Sequence, residues 1–126
     1  MNSIERRTVA LGPTEFGRWA ALNGPLGLSA FGVNVVEAEP GSGVEDAHEE
    51  SESGQQELFV VISGRARFTV GGETFEAGPG TAVGVADPAL MRGYAAIEAG
   101  TRILCLGAQA PDEPAKWGYW IGGGEG

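Results

Sequence analysis

The 126-residue sequence is poor in the residue types that most often carry chemistry: it has one cysteine, one histidine and eight basic residues. A single cysteine, Cys105, excludes an intramolecular disulfide, and its apolar neighbours predict a small core residue. Because His48 and Cys105 lie on separate segments, a Cys-His nucleophile pair has little support. No apolar stretch approaches the roughly 20 residues that cross a bilayer, and no signal-peptide pattern is present. We therefore expect a cytoplasmic protein.

Positive charge is also scarce, and the net charge of −9 comes mainly from one segment. Eight of the 17 acidic residues lie between Glu37 and Glu57 with no Lys or Arg among them, so the rest of the chain holds nine acids and eight bases. Without a basic patch, binding to nucleic acid cannot be driven by counterion release. Anionic membranes repel such a chain for the same reason. We expect neither a nucleic acid nor a membrane as partner.

Glycine is abundant, with 22 residues, and short apolar runs lie between the glycines. This composition favours strands and tight turns over helices, and 126 residues fit one domain. The predicted strands cover residues 4–11, 29–39, 57–63, 65–70, 73–77, 81–86, 92–97 and 101–107. Regularly spaced strands with turn signals between them indicate a sandwich or barrel. We predict an all-β domain over residues 1–126, with a barrel core at about 29–107, an N-terminal strand at 4–11 and a tail at 108–126.

Residues 57–80 carry a more specific pattern. Glu57 is followed after six residues by Gly64, then by a hairpin with a Gly71-Gly72 turn and by a Pro79-Gly80 turn. In these features the chain resembles the cupin superfamily, in particular its small single-domain members of the Cupin 2 type. The resemblance implies a double-stranded β-helix, or jelly roll. It also implies a divalent metal held by a His-x-His pair and a Glu from the first motif and a His from the second.

The chain departs from that metal-binding pattern at several positions. The first motif reads His48-Glu49-Glu50, so Glu50 replaces a histidine; in a shifted alignment Glu50 and Glu52 would take both histidine positions and His48 would fall outside. Counting onward from the Pro79-Gly80 turn places Arg92 where the second motif has its histidine. The guanidinium of arginine cannot ligate a cation and repels it. The resemblance therefore implies at most a reduced metal site of His48, Glu50 and Glu57 for Mn, Fe, Ni or Zn.

An ion pair between Arg92 and Glu57 across the barrel mouth is the alternative to a metal. By period two, Arg92 and Tyr94 share a strand face and are predicted to point into the cavity. A guanidinium there can receive a carboxylate or phosphate in a forked geometry. We thus predict a cupin that binds a small anionic molecule through Glu57, Arg92, Tyr94 and His48.

Further interpretations remain open, among them a purely structural or interaction protein, which predicts a barrel filled by side chains with no cavity. The protein is alternatively an enzyme, either a metal-dependent oxygenase or isomerase with the reduced ligand set, or a metal-free isomerase or lyase with His48 or Glu57 as general base. The aromatic tail residues Trp117, Tyr119 and Trp120 pack either on the barrel or on a second subunit, and from them we predict a homodimer.

Overall fold

The computed structural model describes residues 4–15, 17–42 and 49–109. The secondary structure in these ranges is almost entirely strand. Its elements are β1 (Gly12–Thr14), β2 (Gly17–Ala21), α1 (Asn23–Leu26), β3 (Gly32–Ala38), β4 (Gln55–Ser63), β5 (Ala66–Val70), β6 (Glu73–Ala77), β7 (Ala82–Val85), β8 (Arg92–Ala96) and β9 (Thr101–Gln109). Helix α1 has four residues, and nothing helical in the described ranges is long and apolar enough to cross a bilayer.

The strands form two antiparallel sheets that pack face to face. The larger sheet has the order β1-β2-β3-β9-β4-β7, and the smaller one has the order β6-β5-β8. Aromatic side chains join the two sheets, because the ring of Phe59 on β4 lies 5.9 Å from that of Phe68 and 5.8 Å from that of Tyr94. The all-β jelly-roll fold predicted from the sequence is confirmed.

Strand β4 lies between β9 and β7, as its doubly apolar sequence predicts. Phe59 and Val61 point inward and are 4% and 0% exposed, whereas Leu58 and Ile62 on the opposite face are 38% and 50% exposed. The sequence predicts that both faces of this strand are covered. Among the described residues the inner face is buried, and the outer face remains partly open.

The seven strands predicted from residue 29 onward are present, with ends that differ by at most three residues. The predicted strand over residues 4–11 is absent. Strand β2 pairs with β3 on one side and with Gly12–Thr14 on the other, so no edge of β2 is left for the preceding residues.

Residues Asn23, Gly24 and Pro25 open the single helical turn α1. The side-chain amide of Asn23 donates to the carbonyls of Leu28 and Phe31, and its oxygen accepts from the backbone nitrogen of Val33 at 2.8 Å. Gly27 ends the turn with a φ of +66°, a conformation that glycine adopts without steric cost. Asn23 thereby fixes residues 28–31 against the start of β3.

Candidate functional site

Arg92 and Glu57 meet at one end of the barrel. Nη1 of Arg92, the first residue of β8, donates to Oε1 of Glu57 on β4 at 3.0 Å. The Arg92 side chain is 0% exposed and the Glu57 side chain 16%. Because β8 and β4 belong to different sheets, this ion pair joins the sheets. The pair predicted as the alternative to a metal is therefore present.

The rest of the Arg92 guanidinium organises the connection between β7 and β8. Nε donates to the carbonyl of Leu90 at 3.0 Å, and Nη2 lies 2.9 to 3.0 Å from the carbonyls of Asp87, Pro88 and Leu90. All three guanidinium nitrogens thus donate within the protein, and these bonds compensate for burial of the charge. No forked face of Arg92 is left open for a ligand carboxylate or phosphate.

Tyr94 lies two residues further along β8, on the same inward face, and is 3% exposed. Its hydroxyl is 3.9 Å from Sγ of Cys105, which is also buried, as the sequence predicts. Burial is the main cause that raises the pKa of the Tyr94 hydroxyl, and it raises the pKa of the Cys105 thiol to about 11. Both groups are neutral at physiological pH, so neither is an activated base or nucleophile there.

The strand that follows the Pro79-Gly80 turn is β7, and it pairs directly with β4. Val83 lies opposite Phe59, and Val85 lies opposite Glu57. Arg92 is one strand later, in the other sheet. Beside Glu57 in its own sheet, the inner face therefore presents valines. Counting along the sequence from the Pro79-Gly80 turn led to Arg92 and not to these valines, although the alternation of Val83 and Val85 is visible in the sequence.

The described residues do not fit a divalent metal. No three His, Cys, Asp or Glu side chains come together in the described ranges, and the carboxylate of Glu57 already contacts a guanidinium. Ser53 Oγ donates to Oε1 of Glu50 at 2.8 Å, and the backbone nitrogen of Glu50 donates to the carbonyl of Pro88. Glu52 is exposed on the turn that follows. The predicted ligand His48 lies outside the described residues, as do the tail residues 117–120.

A groove of about 900 Å³ lies at the same end of the large sheet as Glu57. We call it the outer groove. Its lining residues are Ala30, Phe31, Gln56, Glu57, Leu58, Gly84, Val85, Ala86, Leu106, Gly107, Ala108 and Gln109. The lining residues are mainly apolar, and the polar ones are Gln56, Glu57 and Gln109.

The outer groove follows the face of the sheet that points away from the barrel interior. Leu58 lies directly opposite Leu106 on β9 and Gly84 on β7. These three alternate with the inward residues of their strands, so they face outward. A Cβ added at Gly84 would meet no atom of the described residues within 4 Å, so among these residues the hollow is open. Phe31, fixed by Asn23, contributes to the wall.

The sequence prediction placed the binding site inside the barrel mouth, and the outer groove was not part of that prediction. Inside the barrel, the rings of Phe59, Phe68 and Tyr94 lie within 5.5 to 5.9 Å of one another and fill the space between the sheets. The feature of the sequence that could have indicated the groove is the second apolar face of β4, on which Leu58 lies.

Comparisons with known proteins agree with the fold. A family model described as "Cupin domain" matches residues 34–87. A cupin protein of Bacteroides fragilis is similar in structure, with 22% identity, a TM-score of 0.72 and coverage of 91% of this chain and 92% of that one. A sugar phosphate isomerase from a cupin superfamily of Silicibacter pomeroyi has 24% identity and a TM-score of 0.63, covering 86% and 73%. A cupin 2 domain-containing protein of Halorhodospira halophila has 21% identity and a TM-score of 0.61, covering 89% and 79%. No curated protein matches the sequence.

Proposed function

We propose that this chain is a member of the cupin superfamily and a small-molecule-binding protein whose site is the outer groove. The observation that carries this proposal is the groove itself. Its volume of about 900 Å³ lies within the range of small-molecule sites in proteins, which is roughly 300 to 1,000 Å³. An apolar lining with a few polar groups is the usual composition of such sites.

The polar groups of the outer groove stand at its end. The amide nitrogen of Gln56 donates to the carbonyl of Ala86 at 3.1 Å, and that of Gln109 donates to the carbonyl of Ser53 at 2.8 Å. These bonds hold the two side chains in fixed positions, which supports a role in orienting a ligand. Glu57 is also a lining residue, but its carboxylate points into the barrel interior, where it bonds Arg92.

In this proposal the residues predicted from the sequence take new roles. Glu57 lies in the lining, whereas Arg92 and Tyr94 support it from the barrel interior. Arg92 acts as a positioning residue because it holds the carbonyls that follow Ala86, a lining residue. A contact from His48 stays a prediction, as do the homodimer and the cytoplasmic location.

A binding protein is favoured over an enzyme by the chemistry of the buried groups. The Tyr94 hydroxyl and the Cys105 thiol are neutral at physiological pH, and within residues 4–15, 17–42 and 49–109 no three metal-ligating side chains come together around Glu57. The enzyme alternative rests on Glu57 or His48 as a general base. Among similar structures, the Silicibacter pomeroyi protein is described as a sugar phosphate isomerase, so sugar phosphate isomerisation is the reaction to assay first.

The experiment that tests the proposal fills the groove. Gly84→Trp places an indole in the hollow without a clash at Cβ. Thr74→Trp is the matched control, because Thr74 is exposed on the small sheet. Binding of the uncharged fluorescent probe N-phenyl-1-naphthylamine is measured for both variants and for the original chain.

We expect Gly84→Trp to weaken probe binding at least about tenfold, which corresponds to roughly 1.4 kcal/mol, and Thr74→Trp to leave it unchanged. No binding by the original chain, or equal binding by both variants, would refute the proposal. Thermal unfolding of each variant verifies that a loss of binding is not a loss of fold.

A further inference from the structure

We propose that the outer groove is the docking site of the chain's own C-terminal residues 110–121, and that these residues compete with a ligand for it. We call them the tail segment; it carries Trp117, Tyr119 and Trp120 and lies outside the described residues. The docking itself is independent of the proposed function, and the competition rests on it.

Strand β9 delivers the tail segment directly to the groove. The last four residues of this strand, from Leu106 to Gln109, all belong to the lining. Along the strand these residues cover about 10 Å. Because the tail segment begins at the next residue, it starts at the rim of the groove with no chain in between.

The tail segment is long enough to return along the groove. Trp117 follows Gln109 by eight residues, which span up to about 26 Å when extended. This length allows the chain to reverse beyond Gln109 and to reach back over Leu106. Pro111 and Pro114 favour a reversal over a longer β9, because proline lacks the backbone N–H that strand pairing uses.

The groove offers apolar surface at the distance that the tail segment reaches. Leu58 is 38% exposed among the described residues and lies directly opposite Leu106 on β9. Phe31 adds an aromatic ring to the lining, and aromatic rings pack favourably with one another. Each Trp or Tyr of the tail segment has roughly 150–250 Å² to bury. Docking removes this area and the floor of the groove from water together.

A docked tail segment is an internal competitor for a ligand. A ligand enters only those molecules whose groove is free, so its apparent affinity falls in proportion to the free fraction. Docking of this kind weakens binding without abolishing it. Removing the aromatic rings of the tail segment should therefore tighten binding of a ligand.

Tryptophan fluorescence reports on the docking directly. The chain has three tryptophans, so Trp19→Phe leaves only the two of the tail segment. In that background, Leu58→Asp places a charge on the floor of the groove. Ile62→Asp is the matched control, because Ile62 is 50% exposed on the same face of β4 and lies outside the described lining.

We expect Leu58→Asp to shift the emission to longer wavelength and to raise acrylamide quenching at least about twofold, since a carboxylate in an apolar contact is unfavourable. Ile62→Asp should change neither, and thermal unfolding verifies that both variants are folded. Equal spectra of the two variants, or quenching of Trp19→Phe as strong as that of free tryptophan amide, would overturn the inference. Light scattering that shows a dimer, with protection lost on dilution, would assign the tail segment to a second copy and overturn it too.

The competition is measured with N-phenyl-1-naphthylamine. We expect the double variant Trp117→Ala, Trp120→Ala to bind this probe at least about threefold more tightly than the original chain does. Unchanged affinity would overturn the inference and leave the proposed function standing. If neither chain binds the probe while the tail tryptophans respond to Leu58→Asp, the proposed function is refuted and the docking stands.

Discussion

The carboxylate of Glu57 and the guanidinium of Arg92 lie 3.0 Å apart at one end of the barrel and tie its two sheets together. In the family that the sequence resembles, this end of the barrel holds a metal ion that collects ligands from separate strands. Here a side-chain cation collects one carboxylate and three backbone carbonyls instead. A covalently attached cation needs no uptake from solution and cannot be removed by a chelator.

Removing this cation should be among the most damaging changes to the fold. We expect Arg92→Met to lower the free energy of unfolding by about 3–5 kcal/mol, because it removes the ion pair with Glu57 and the bonds to three backbone carbonyls. Arg67→Met, at an exposed position on β5, serves as the control and should change it by less than about 0.5 kcal/mol. Denaturant unfolding measures both. A loss below about 1 kcal/mol for Arg92→Met would show that the ion pair contributes little.

Arg92→Lys tests the geometry of the cation separately from its charge. Lysine keeps the positive charge but presents a single ammonium group, which cannot reach a carboxylate on one side and three carbonyls on the other. We expect a loss of stability at least half that of Arg92→Met. Stability equal to that of the original chain would mean that charge alone is sufficient.

The metal content of the purified protein distinguishes a barrel in which Arg92 takes the place of the metal ion from a metal-dependent cupin. We expect substoichiometric metal in the purified protein, and no rise in melting temperature on addition of Mn, Fe, Ni or Zn, because the described carboxylates do not converge. Elemental analysis and thermal shift provide the measurements. One bound metal per chain that is lost on Glu57→Ala would establish the alternative site of His48, Glu50 and Glu57.

Substitutions at two glycines are expected to have opposite effects on the stability of the protein. Gly64 has a φ of +75°, and a Cβ there would lie 2.5 Å from Cα of Thr101 and 2.3 Å from its Oγ1. We expect Gly64→Ala to cost about 2–5 kcal/mol from backbone strain and overpacking. Gly84→Ala places its methyl group in open space, and we expect it to be neutral or stabilising by up to about 1 kcal/mol. Equal effects of the two changes in denaturant unfolding would contradict this packing.

The buried thiol gives a prediction for alkaline pH. The pKa of Cys105 is raised by burial from 9.0 to about 11, so the unfolded chain ionises first as the pH rises above 9. Stability is therefore fully present below pH 9 and is lost progressively towards pH 11. Between pH 9 and 10 we expect this residue to account for about 1 kcal/mol of the loss. The raised pKa of Tyr94 acts in the same direction above its ordinary value of 10.0.

Cys105→Ala isolates the contribution of the thiol. The substitution lowers stability at every pH by removing packed atoms, but the slope between pH 9 and 10 should become flatter. A slope unchanged from that of the original chain would show that the thiol does not control this pH dependence. Thermal unfolding at closely spaced pH values gives the slope.

The fold could be predicted from the sequence because the patterns that indicate its strands and turns are local. Strand β6 begins and ends where its flanking glycines predict, and the alternation in β8 correctly placed Arg92 and Tyr94 on the inward face. The ion pair with Glu57 was predicted for the same reason. Cys105 was assigned to the core because apolar residues surround it.

The candidate site was harder to predict from the sequence because it depends on contacts between segments that are distant in the sequence. The three carbonyl partners of Arg92 follow β7, and only the folded chain shows that they use up the guanidinium. The outer groove needs Phe31 beside strands β4, β7 and β9, a neighbourhood that no local pattern contains. The strand predicted at 4–11 failed because pairing partners, rather than local preference, decide which residues join a sheet edge.

Substitutions at Gly84 with side chains of increasing size would reduce the depth of the groove in steps. It lies on edge strand β7, its backbone is open to any L-residue, and an added Cβ meets nothing within 4 Å. A series of Ala, Val, Leu and Phe at this position would shorten the hollow stepwise while the inner core stays as it is. If the proposed function holds, the largest ligand that each variant still accepts would measure the length of the hollow that the natural ligand occupies.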